Sequence, residues 1–116
     1  MTVSPLNNKS EFDAAVKDNC LVFIDCFATW CGPCRVIAPT IEKFSSAFPS
    51  IKFYKLDVDE VRDVAETLGI RAMPTFVLFK NGEKFGNDVV GANPHAIEAA
   101  IKNLSQEATS AEESKA

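Results

Sequence analysis

Histidine, tryptophan and tyrosine each occur once in these 116 residues, methionine twice and glycine five times. With His95 the only histidine, the chain lacks the Cys/His clusters from which zinc domains are built, and no metal is expected. His95 opens a polar-faced helical stretch and reads as a surface residue. No apolar run approaches the roughly 20 residues that span a bilayer. No N-terminal segment combines basic residues with an apolar stretch long enough for a signal peptide. No glycine-rich loop offers a dinucleotide site. Basic residues are scattered and outnumbered by acidic ones, 12 against 16. Neither nucleic acid nor an anionic membrane is therefore an expected partner. No repeat or linker divides the chain, so a single domain is expected. With 47% hydrophobic content it can bury a core without structural disulfides. Four cysteines in such a chain point to functional thiols in a reducing compartment, and the expected location is the cytoplasm. Nothing requires more than a monomer.

Two of the cysteines stand close together in Trp30-Cys31-Gly32-Pro33-Cys34. The motif falls where a strand-like run gives way to a helical one. Leu21 to Phe27 is apolar enough for a strand buried on both faces. Ile37, Ile41, Phe44 and Phe48 then recur near helical spacing, which predicts a helix opening around Pro33 or Cys34 and ending near Phe48. Pro39 lies inside it and is expected to kink it. A C-x-x-C at such a junction can open and close a disulfide between neighbouring side chains. The expected chemistry is thiol–disulfide exchange.

Around this junction the other elements fall into place. Asn8 caps a first helix, with Glu11 three residues later and Phe12, Ala15 and Val16 as its apolar stripe. Ile51 to Val58 reads as a second strand. Val61, Val64, Ala65 and Leu68 keep helical spacing, and Gly69 is a ready stop. Thr75 to Phe79 reads as a strand, Asn81-Gly82 as a hairpin turn and Lys84 to Val90 as the return strand. Asn93 and Pro94 open a last helix striped by Ile97, Ala100, Ile101 and Leu104. Residues 1–104 are the expected domain. Residues 105–116 are Ser, Glu, Ala and Thr without periodicity, and read as a frayed polar tail. The sum is α/β: a βαβ unit joined through a helix to a ββα unit, around one mixed sheet with helices on both faces.

Asp25, Trp30-Cys31-Gly32-Pro33-Cys34, Pro39, Lys55, Met73-Pro74-Thr75 and Gly91 together resemble the thioredoxin family in order and spacing. The resemblance covers roughly Val3 to Leu104. Ala28 to Cys34 and Arg71 to Phe76 are worded like the eukaryotic cytosolic branch. Cys26, where the family usually has an aromatic residue, and the extra tail depart from it. The resemblance implies a thioredoxin fold: a central mixed five-stranded sheet flanked by four helices. It also implies a general protein-disulfide reductase that works through a reversible Cys31–Cys34 disulfide. Such a protein binds no cofactor and is recycled by thioredoxin reductase, the partner that draws on NADPH. Its substrates would be disulfide-containing proteins.

The individual residues follow from that chemistry. Cys31 at the turn is the expected exposed attacker, and Cys34, inside the first helical turn, the shielded resolving thiol. A helix N-terminus stabilises a thiolate by up to roughly 2 kcal/mol, about one and a half pKa units. Gly32-Pro33 stiffens the loop between the thiols, and the resemblance gives it a reducing couple. Pro33 is equally a good first-turn residue. Asp25 is a charge inside a buried strand, so its pKa is expected to rise towards neutrality. Spacing alone does not choose between an inert pair with Lys55 and a base that takes the Cys34 proton; the resemblance implies the base. Pro74 reads as a strand-entry proline, which the resemblance makes cis and opposite the cysteines, turning Ala72 and Met73 towards a substrate strand. Trp30, Val58, Met73, Val90 and Gly91 match the family's apolar rim, although each alone is ordinary packing. Cys20 and Cys26, about 20 Å apart along an extended strand, cannot share a disulfide or a metal. Cys26 reads as a small buried hydrophobe on the face opposite Asp25. A non-catalytic binding module and an oxidant or isomerase are the alternative functions, the last disfavoured by Gly32-Pro33.

Overall fold

Apolar alternation along one central strand divides this molecule into layers. The computed structural model describes residues 2–108. Its elements are β1 (Ser4–Pro5), α1 (Lys9–Asp18), β2 (Leu21–Phe27), α2 (Gly32–Ala47), β3 (Lys52–Asp57), α3 (Arg62–Thr67), β4 (Thr75–Lys80), β5 (Glu83–Lys84), β6 (Val89–Val90) and α4 (Pro94–Ser105). The strands form one sheet in the order β1, β3, β2, β4, β5, with β6 also paired to β4. β3 runs parallel to β1 and β2, whereas β4 runs antiparallel to β2, β5 and β6.

β2 is central and buried on both faces, which is why it reads as a nearly unbroken apolar run. Leu21 and Phe23 join Ile37 and Ile41 of α2 and Ile97, Ile101 and Leu104 of α4 in one core cluster. Val22, Ile24 and Cys26 join Ala15 and Val16 of α1 and Val64 of α3 in the other. The side-chain period of two thus sends successive residues of one strand into two separate cores. Local capping fixes where the helices begin. Asn8 Oδ1 accepts from the Glu11 amide at 2.9 Å, and Asn93 Oδ1 from the His95 and Ala96 amides at 3.0 and 3.2 Å.

Three features differ from the sequence pattern. β1 is only two residues long and contains a proline, so it has no periodicity to read. Pairing with β3 holds it in place, and its neighbours Val3 and Leu6 are buried in opposite cores. The return strand expected over Lys84 to Val90 is broken into β5 and β6. Phe85 packs against the core between them, and Gly86 adopts φ +68°, which glycine reaches without steric cost. Counted as one interrupted strand, β5 and β6 complete a five-stranded sheet. Residues 105–108, expected to fray, are held instead. Ser105 ends α4, Glu107 pairs with Lys80 at 2.6 Å and Ala108 packs against the core. Those anchors are tertiary and leave no local signal. The rest of the expected tail, 109–116, lies outside the described residues.

Candidate active site

Cys31 and Cys34 form a disulfide with their Cα atoms 5.3 Å apart. Cys31 is the N-cap of α2, and its Sγ accepts a hydrogen bond from the Cys34 amide at 3.2 Å. A sulfur therefore occupies the position that a Ser or Asp oxygen takes at most helix starts. There an unpaired amide and the positive end of the helix dipole favour negative charge. Pro33 lies in the first turn, where its missing N–H costs nothing, and both Gly32 and Pro33 are exposed.

Cys31 is not the exposed member of the pair. It is 5% exposed and Cys34 is 4% exposed. Bonded to each other, the sulfurs pack with Ala28 against Phe27, Val58 and Met73. What separates the two is their surroundings. Cys31 Sγ lies 3.6 Å from the Met73 carbonyl oxygen. In the disulfide that sulfur has no proton, so the contact becomes a hydrogen bond only with a protonated Cys31. Cys34 instead lines a cavity of about 340 Å³ together with Asp25 and Lys55.

Asp25 projects from β2, is 6% exposed, and its Oδ1 is buried without a hydrogen-bond partner. Burial pushes its pKa from 3.8 up to about 7, against the opposing pull of Lys55. The two residues are register partners across β2 and β3. Lys55 itself is exposed, not enclosed between apolar neighbours: its strand lies beside the sheet edge, where water reaches the ammonium. It acts on Asp25 through space and forms no ion pair with it.

On the other side of the thiols, the Met73–Pro74 peptide is cis. Pro74 is buried and its carbonyl accepts from the Gly91 amide at 2.8 Å, tying β6 to this turn. The Thr75 hydroxyl donates to the Ala72 carbonyl at 2.6 Å. Ala72 is exposed, Gly91 is half-buried, and Met73 and Val58 are half-buried beside the disulfide. Trp30 and Val90 are 64% and 63% exposed, a high price in water contact for large apolar side chains. Sequence reasoning missed Asp59, whose Oδ2 accepts from the Trp30 indole N–H at 3.0 Å. No periodic or motif signal marks it, because a loop delivers it: the Asp59 amide donates to Asp57 Oδ1 at 2.9 Å. Arg35, which lines the cavity beside Asp25, was equally silent. Among the described residues, no group of three or more His, Cys, Asp or Glu is placed to hold a metal. No helix among them is long and apolar enough to cross a membrane.

A reversible disulfide at a helix N-terminus, a cis-proline turn against one sulfur and a buried acid beside the other define a dithiol–disulfide oxidoreductase. The Thioredoxin family model matches residues 3–103. The chain is 56% identical over 101 residues to Thioredoxin-2 of Pyricularia oryzae, covering 87% of this chain and 58% of that protein. It is 56% identical over 99 residues to Thioredoxin-1 of Saccharomyces cerevisiae, covering 85% and 95%. Among solved structures, Plasmodium falciparum thioredoxin superposes with a TM-score of 0.84 at 42% identity, over 87% of this chain and 98% of that one. Oxidised mitochondrial Thioredoxin 3 of S. cerevisiae also gives 0.84, at 45% identity over 88% and 95%. The chain belongs to the thioredoxin family. It is a protein-disulfide oxidoreductase that works through Cys31 and Cys34.

Proposed function

We propose that Cys31 is the attacking sulfur, Cys34 the resolving one and Asp25 the proton acceptor. The Cys31 thiolate attacks one sulfur of a substrate disulfide, forming a mixed disulfide and expelling the other sulfur as thiolate. Asp25 takes the Cys34 proton. Cys34 then attacks Cys31 Sγ, the Cys31–Cys34 bond closes, and the second substrate sulfur leaves as thiolate. The substrate gains two electrons and the pair loses two. The observation that supports this order of events is the cap: the Cys34 amide is directed at Cys31 Sγ, while Asp25 shares a cavity with Cys34.

Trp30, Val58, Ala72, Met73, Val90 and Gly91 form the docking surface for the substrate. Gly32, Pro33 and Pro74 fix the geometry of the sulfurs, and Lys55 tunes Asp25. The pair is recycled by thioredoxin reductase, which supplies the electrons of NADPH; this chain binds no cofactor of its own and works as a monomer. Its cysteine usage supports residence in the cytoplasm. The test is the reduction potential of the pair, measured by equilibration in dithiol buffers, acid quench and alkylation mass spectrometry. A single two-electron transition on Cys31 and Cys34, more reducing than the glutathione poise, is the expected result. A transition at or above that poise would displace the reductase reading in favour of an isomerase or oxidant.

A further inference from the structure

The cavity that exposes Cys34 to Asp25 is more than a space behind the disulfide. Its apolar wall is Phe27, Ala28 and Ala38, its inner acceptor is Asp25, and its two cations are Arg35 and Lys55. The Asp25 side chain is nine-tenths buried, and its Oδ1 has no donor. Asp25, Arg35 and Lys55 are the titratable groups that line the cavity, Cys34 being held in the disulfide. Two cations against one carboxyl leave a positive balance whether Asp25 is ionised or neutral. At about 340 Å³ the cavity falls within the range of small-ligand sites. A larger cavity of about 400 Å³ beside β1 contains no unpartnered buried side-chain atom, and so shows no comparable demand.

We propose that this cavity is a binding site for a small, flat monocarboxylic acid bearing one hydroxyl group. The carboxylate pairs with Lys55 and Arg35. The hydroxyl donates to the Asp25 carboxyl, and the ring lies against Phe27 over the small Ala28 and Ala38. Each part answers one feature on the wall: charge to the cations, donor to the Asp25 carboxyl, apolar face to the apolar face. The site is separate from substrate docking, since Trp30, Met73 and Val90 do not line it.

The experiment is a titration of oxidised, nitrogen-15-labelled protein with 4-hydroxybenzoate, followed by amide chemical shifts. A probe of about ten non-hydrogen atoms is expected to saturate near 1 mM. The shifts should concentrate on Asp25, Ala28, Thr29, Arg35 and Ala38. Removing one ionic or hydrogen-bonding contact should weaken binding about fivefold, so Arg35→Ala, Lys55→Ala and plain benzoate should each do so. Ala38→Leu, which fills the cavity, should abolish it. A dispersed spectrum in each variant confirms folding. No saturation by about 20 mM, shifts centred on Trp30 and Val90, or binding untouched by Ala38→Leu would overturn the proposal. Because the oxidised protein is titrated without turnover, such a failure leaves the thiol-exchange reading standing.

Discussion

At the scale of the residue, Asp25 and Cys26 illustrate how the same strand yields one reactive and one inert group. Below pH 3.8 the Asp25 carboxyl is neutral in the folded and the unfolded chain alike, and its burial costs no ionisation energy. Between 3.8 and about 7 the unfolded chain gives up this proton while the fold retains it, so stability falls as pH rises through that window and levels off above it. A shift of about three units corresponds to about 4 kcal/mol. Asp25→Asn should therefore be more stable than the parent at pH 8, by up to about 4 kcal/mol, and nearly equal to it at pH 3.5. Urea unfolding of the oxidised proteins checks this; a difference independent of pH would contradict it. The same substitution should slow release from the mixed disulfide at neutral pH, read by rapid quench. Burial, reinforced by Asp25 and Asp88 against the weaker pull of Lys84, pushes the Cys26 thiol up to about 12. Alkylation at pH 8 should accordingly label half-exposed Cys20 and spare Cys26 until the protein unfolds, as peptide mass spectrometry would show. Alternation made the opposite faces of Asp25 and Cys26 legible in the sequence. The exposure of Lys55 and the burial of Cys31 were not legible, because they depend on the sheet edge and on the closed disulfide.

At the scale of the element, what is local was legible and what is borrowed from neighbours was not. Asn8 and Asn93 mark helix starts because a cap involves residues only two or three positions apart. Asn93→Ala should cost about 1 kcal/mol in a denaturant titration and leave the reduction potential of the distant thiols unchanged. A loss below a few tenths would mean that Pro94 alone starts the helix. β1 and the break between β5 and β6 escaped periodicity, since pairing partners and a half-buried Phe85 create them. α2 is the instructive case. Its start is readable from Cys31 to Cys34, yet only the folded geometry shows that a sulfur is the cap. Where the chain needs a thiolate, it uses the helix terminus that needs an acceptor.

At the scale of the whole molecule, the fold brings Asp25, the Cys31–Cys34 pair, Met73-Pro74 and Val90-Gly91 together from four separate stretches of sequence. The residues were legible as a pattern because their types and order are distinctive. Asp59 on Trp30 and Arg35 on the cavity were not, since loop delivery and side-chain direction have no period. The central claim is that the two sulfurs have different duties, and trapping tests it most directly. Reduced Cys34→Ser and Cys31→Ser proteins would each be mixed with a disulfide-containing protein, quenched in acid and weighed intact. Cys34→Ser should accumulate a one-to-one covalent adduct through Cys31, because nothing remains to resolve it, whereas Cys31→Ser should form none. Adducts through Cys34 at a comparable rate, or none in either protein, would contradict the assignment.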